Sequence, residues 1–232
     1  MNLTLSDNDL ANLILQRTGP FLQMGGGSVL NQWFATGDKR PLVAFLKGTG
    51  KVNEYVNATF AGIAADFNEL SPHIESVSAG TVVSIGPGYG FLELLIYGIN
   101  QPRLLLIDIE HSPEHKHGFA QQGSGYADLA SCRNFLTANG VDAKHIETCN
   151  PRKQPLPQGS FDVLVSVLSM GFHYPCTEYA PFILAGLRPG GLLILDKRTQ
   201  VADPGWDELR PHFAVVSQND QPKSTRFVLK RT

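Results

Sequence analysis

The chain is poor in cysteine. Cys132, Cys149 and Cys176 lie far apart in 232 residues. An odd, scattered set makes no disulfide framework and no Cys-x-x-Cys metal pair, and it suits a reducing compartment. A dominant charge is missing too: the net charge is −2, with no long run of one sign. Without a basic footprint, a DNA or RNA partner is not expected. No apolar run reaches the length that crosses a bilayer. The opening Met1-Asn2-Leu3-Thr4-Leu5-Ser6-Asp7 lacks the basic and apolar regions of a secretory signal. The expectation is a soluble, cytoplasmic protein with no membrane partner.

What is present centres on one stretch, Thr81-Val82-Val83-Ser84-Ile85-Gly86-Pro87-Gly88-Tyr89-Gly90-Phe91-Leu92-Glu93-Leu94-Leu95-Ile96. β-Branched and apolar residues lead into three alternating glycines, and an apolar run at helical spacing follows. This reads as strand, tight turn and helix. Glycine takes positive φ and lets a ligand approach the backbone, and the first N–H groups of the helix are left to face it. The spacing departs from the dinucleotide fingerprint Gly-x-Gly-x-x-Gly/Ala, because Phe91 holds its third position and Gly90 comes one residue early.

Before this turn the pattern is helical. Residues 6–18 form an amphipathic stretch that Ser6 caps with Asp9 three residues on. Gly25–Gly27 interrupts the pattern, and short helices are expected at 28–34 and 41–47. Apolar residues recur at three and four across 51–70, with Pro72 falling just beyond. Residues 1–77 are expected to be a helical extension. It either covers a ligand and shapes an acceptor pocket, or serves as a structural cap or contact surface.

After the turn, strands and helices alternate. Strand two, Arg103–Ile107, ends in Asp108, 18 residues after Gly90. A carboxylate at that point is placed to accept two hydrogen bonds from a vicinal diol. Asp108 and Glu110 both qualify, and Asp108 is preferred because it directly follows the apolar run. His111, His115 and His117 fall in a long loop with no partner ligand nearby, so a solvated loop is expected and no metal site. A helix is expected over 125–139 and strand three over 144–149. Strand four, 161–167, leads into the loop Leu168-Ser169-Met170-Gly171-Phe172-His173-Tyr174-Pro175. His173 and Tyr174 are its acid–base candidates. A helix over 179–187, the turn Arg188-Pro189-Gly190-Gly191, strand five over 192–196, a short helix over 206–209 and a terminal pair of strands at 213–217 and 226–230 complete the chain.

In this order and spacing, Gly-x-Gly-x-Gly, Asp108, Asn150, Gly159-Ser160-Phe161-Asp162 and Arg188-Pro189-Gly190-Gly191 resemble class I S-adenosylmethionine-dependent methyltransferases. The resemblance covers residues 78–232. It implies an α/β fold with a doubly wound, mostly parallel seven-stranded sheet of order 3-2-1-4-5-7-6, the last strand antiparallel. It implies S-adenosylmethionine as cofactor, held by Gly86, Gly88, Gly90, Asp108 and Asn150. Asn150 stands twelve positions before Asp162, where the family often has an acid for the adenine amino group. A family acid two residues before the first glycine is replaced by Ser84; backbone at Gly86 and near Ser166 is expected to compensate. The implied reaction is methyl transfer to a small polar metabolite, at oxygen. The segment after strand four contains no Asn/Asp-Pro-Pro-Tyr motif of the kind that accompanies amino methylation of bases. Two alternatives stand beside it: a catalytically silent relative acting through a partner, and an NAD-dependent oxidoreductase. Oligomeric state is left open.

Overall fold

A computed structural model describes residues 3–110 and 128–232. Five helices come first: α1 (Asp7–Gln16), α2 (Thr18–Gln23), α3 (Gly27–Thr36), α4 (Arg40–Gly48) and α5 (Val52–Ser76). The Ser6 hydroxyl accepts from Asp9 N–H, and the Asp9 carboxylate accepts from Ser6 N–H, so the capping box forms. α1 stops at Arg17, which leaves helical geometry, and α2 starts at once. The longest helix passes straight through Pro72, where sequence placed its end. One ladder hydrogen bond is lost there, but buried Leu70 and Ile74 hold the flanking turns against the core. No helix among the described residues is long and apolar enough to cross a membrane.

The remainder alternates: β1 (Thr81–Ile85), α6 (Phe91–Asn100), β2 (Arg103–Ile107), α7 (Leu129–Ala138), β3 (Ile146–Cys149), β4 (Phe161–Ser166), β5 (Ser169–Tyr174), α8 (Ala180–Gly186), β6 (Leu187–Arg198), α9 (Pro204–Leu209), β7 (Phe213–Gln221) and β8 (Ser224–Arg231). The seven-stranded sheet has the order β3-β2-β1-β4-β6-β8-β7. Numbered without β5, which is not one of its seven strands, this is the expected 3-2-1-4-5-7-6. β8 runs antiparallel to both neighbours.

The central strands are apolar on both faces, which suits a sheet covered on both sides. Val82, Leu104, Leu106, Val163 and Val165 share one core cluster with α6, α7 and the N-terminal helices. Val83, Ile85, Leu105, Leu164 and Leu193 share another with α8 and Leu209 of α9. Strand order reverses between β1 and β4, which opens a crevice at their carboxyl ends.

Two stretches differ from expectation. Residues 168–175, read as a loop, contain β5, packed beside β6. Leu168 adopts a positive φ of 53°, and its N–H donates to the Asp196 carboxylate. The Ser166 hydroxyl then accepts from Met170 N–H, which turns the chain back on itself. Residues 188–191, read as a free turn, form a bulge inside β6: Leu187 pairs with Phe161, and Leu192 with Val163. The two motifs near strand four also meet one another. Asp162 accepts from Gly80 and Thr81 N–H, each at 2.9 Å, and from Arg188 at 2.8 Å. They fasten β1, β4 and β6 at the sheet edge opposite the crevice.

Candidate functional site

The β1–α6 turn is tight because its three glycines all take positive φ: 69° at Gly86, 59° at Gly88 and 92° at Gly90. Gly86 N–H donates to Ile107 O at 2.8 Å, which locks the turn to the end of β2. A side chain at Gly86 would overlap Ser169, and one at Gly88 would press on Gln16. Gln16, at the end of α1, also accepts from Tyr89 N–H at 3.1 Å. The helical extension therefore lies directly against the turn.

Ser84 stands where the resemblance predicts an acid. Its hydroxyl donates to Glu93 Oε1 at 2.6 Å. Glu93 sits in the first turn of α6 with 2% of its surface exposed. Its other oxygen, Oε2, has no protein partner. Burial pushes the Glu93 carboxyl up to about 7, against the pull of the Ser84 bond.

The next two strand ends contribute Asp108 and Asn150. Asp108 N–H donates to Cys149 O at 3.2 Å, so the ends of β2 and β3 are joined. Asp108 Oδ1 accepts from Glu110 N–H at 2.7 Å. Burial raises the Asp108 carboxyl to about 6. Asn150 Nδ2 donates to Ile109 O and to Glu110 Oε2, and its Oδ1 accepts from Arg152 N–H. Glu110 also accepts from Lys153 at 2.7 Å and from Leu129 N–H. Burial pushes the Glu110 carboxyl up, but those partners outweigh it and hold it below the usual range. Of the two acids left open by the sequence, Glu110 is thus tied into the protein, bracing Asn150, Lys153 and α7.

From the other side of the switch point come β4 and β5. The Ser166 hydroxyl donates to Ile85 O at 2.9 Å and accepts from Met170 N–H at 2.8 Å, so it braces β1 to the β5 turn. The Tyr174 hydroxyl shares a 2.9 Å hydrogen bond with Ser169, and both lie against Gly86. Burial pushes the Tyr174 hydroxyl well above its ordinary value. His173 packs edge-on to Phe172. As adjacent residues of one strand, His173 and Tyr174 point to opposite sides, so the pair is not brought together.

No protein-family model matches the sequence, and no curated protein does. Solved structures do. A candidate O-methyltransferase from Nostoc punctiforme aligns over 78% of this chain and 60% of its own, with TM-score 0.52 and 12% identity. The O-methyltransferase TomG from Streptomyces achromogenes, solved with S-adenosylmethionine, aligns over 73% and 81%, with TM-score 0.48 and 15% identity. An O-methyltransferase from Bacillus cereus, solved with S-adenosylhomocysteine, aligns over 72% and 81%, with TM-score 0.46 and 12% identity. The chain has the class I methyltransferase fold. In that fold Gly86, Gly88, Gly90, Asp108 and Asn150 hang from consecutive strand ends at one edge, with Tyr174 beside Gly86. The histidine-bearing loop, His111, His115 and His117, lies outside the described residues. Sequence reasoning passed over Glu93 and Gln16. For Glu93 a signal existed, a lone acid in the apolar run Phe91-Leu92-Glu93-Leu94-Leu95-Ile96.

Proposed function

We propose that the chain is an S-adenosylmethionine-dependent methyltransferase that acts on a small polar acceptor at oxygen. One observation carries the reading: a turn of three positive-φ glycines and two polar side chains, Asp108 and Asn150, share one sheet edge at the switch in strand order. This donor set fits the cofactor. Asp108, ionised above about pH 6, accepts from the ribose hydroxyls. Asn150 Oδ1, which already takes Arg152 N–H, keeps a second lone pair for the adenine amino group.

Bound there, the cofactor supplies a methyl group already activated on a sulfonium. What remains for the protein is alignment and exclusion of water. Tyr174 keeps its proton because its hydroxyl is raised by burial, so it acts on the acceptor as a hydrogen-bond donor and not as a base. His173 leaves β5 on the other side from Tyr174, so no base is assigned and transfer relies on alignment. Residues 1–77, a unit distinct from the 78–232 methyltransferase domain in this reading, cover the methionine end through Gln16.

Calorimetric titration with S-adenosylmethionine, S-adenosylhomocysteine and NAD tests this. Binding of the first two without NAD is expected, together with its loss in Asp108→Ala. NAD binding alone overturns the cofactor assignment. A second reading, a silent relative working through a partner, draws on Gln16, whose amide already takes the Tyr89 N–H at the turn. Under it, neither adenosyl ligand binds and Asp108→Ala leaves partner capture intact.

A further inference from the structure

Close approach of a ligand to a glycine backbone needs the space that a Cβ would fill. In the β1–α6 turn this chain fills that space itself at all three glycines. A Cβ at Gly86 would overlap Ser169 Oγ, and one at Gly90 would lie 2.9 Å from Cys132 Sγ. One at Gly88 would lie 2.9 Å from Gln16 Nε2 and 3.0 Å from Gln16 Cδ. The three neighbours differ in freedom. Ser169 is a short side chain at the start of β5, and Cys132 is buried on α7. Gln16 is a long, half-buried side chain on the last residue of α1. Its Oε1 also accepts from Tyr89 N–H at 3.1 Å, so it takes a backbone donor of the turn as well as the space above Gly88. The backbone that carries Gln16 is pinned. The Tyr55 hydroxyl donates to Leu13 O or Arg17 O, at 3.2 and 3.1 Å, and Arg17 Nη2 holds Asp66 at 2.5 Å. What can leave the turn is therefore the carboxamide, by rotation of its own side-chain bonds, and not α1 as a body.

We infer that the Gln16 carboxamide is an internal stand-in for the cofactor: it occupies Gly88 and the Tyr89 N–H, and S-adenosylmethionine binds as that side chain swings out. This rests on the cofactor reading above, in which Gln16 is the arm of the helical extension that covers the ligand. The arm has two stations, one on the turn and one over the bound molecule. Ligand affinity is reduced by the fraction of molecules in which the arm lies on the turn. One neutral hydrogen bond holds that station by a modest factor, so the contact tunes affinity without abolishing it.

Calorimetric titration with S-adenosylhomocysteine compares the wild-type protein with Gln16→Ala, which removes both the acceptor and the bulk over Gly88. The variant is expected to bind roughly three- to tenfold more tightly. Binding by the variant alone supports the inference in its strongest form. Equal affinity, or weaker binding by the variant, overturns it, since Gln16 would then be a bystander or a contact made only to the ligand. Failure of both proteins to bind overturns the cofactor reading itself, a different result. NMR gives an independent readout. The Gln16 side-chain NH2 pair, identified by its absence from the variant's spectrum, is expected to shift as the wild-type protein is saturated with S-adenosylhomocysteine. A pair that stays in place while the ligand binds shows that the contact survives binding, and that too overturns the inference. Should Gln16→Ala lack a cooperative melt, Gln16→Met takes its place, keeping the length and losing the acceptor. A gain in affinity of the same sign is expected there, and no gain overturns the inference.

Discussion

Glu93 and Asp108 both hold their protons more tightly in the folded chain than in the unfolded one, because burial raises them to about 7 and about 6. For an acid raised in this way, the stabilising effect is complete below the unfolded value and is lost as pH climbs through the folded one. Between about pH 4.5 and pH 7, Glu93 therefore withdraws up to about 3 kcal/mol of stability as it ionises. Glu93→Gln removes that proton equilibrium. Urea unfolding at about pH 5 and about pH 8 is expected to show the wild-type protein losing ground to Glu93→Gln as pH rises. A difference that stays constant with pH would mean that Glu93 ionises in the folded protein as freely as in the unfolded chain.

At the level of elements, α5 contains its own flaw. Pro72 lies inside the helix, where it removes one ladder hydrogen bond and crowds the preceding turn. Pro72→Ala restores the bond, at the expense of a freer unfolded chain. A net gain of about 1–2 kcal/mol is expected, seen as a melting temperature raised by a few degrees. A fall would show that the proline ring packs where alanine does not. The same helix shows where sequence reading stops. β1, β2 and the glycine turn were legible because contiguous apolar residues and positive-φ glycines admit few local structures. The end of α5 was not, since burial of Leu70 and Ile74 outweighs a local breaker. β5 was hidden for a related reason: the Ser166–Met170 and Leu168–Asp196 bonds that shape its turn reach across strands. Asp108 and Asn150 could be read at strand ends. Glu93 could not be placed, because its meaning depends on Ser84 nine residues earlier on a different element.

Across the whole molecule, extension and sheet are joined by charge as well as by apolar packing. Arg226 on β8 is 2% exposed and grips Asp196 of β6 with two bonds, at 2.8 and 3.1 Å. Its remaining nitrogen reaches across to Asp66 and Glu69 of α5 at 2.8 and 3.0 Å. Asp66 continues the chain to Arg17, and Asp196 continues it to Leu168 N–H, at the turn that leads into β5. Burial opposes the charge on Arg226, but its bonds to Asp196 and the nearby Asp66 outweigh that and hold the guanidinium protonated. A buried pair of this kind adds little beyond an apolar substitute, yet loss of one partner is expensive because the other charge is stranded. Arg226→Met strands Asp196, which has no exposed surface. It is expected to cost about 3–5 kcal/mol in urea unfolding. Adding Asp196→Asn removes the stranded charge and should recover part of that loss, a non-additivity expected of partners in direct contact. Asp66→Asn alone should cost less than Arg226→Met, because Arg226 keeps both bonds to Asp196. If all three variants unfold at the wild-type urea concentration, the helices are held to the sheet by apolar packing alone. If Arg226→Met is the most costly, one guanidinium ties the helical extension to the strands and links, through Arg17 and Leu168, the two sides of the candidate site.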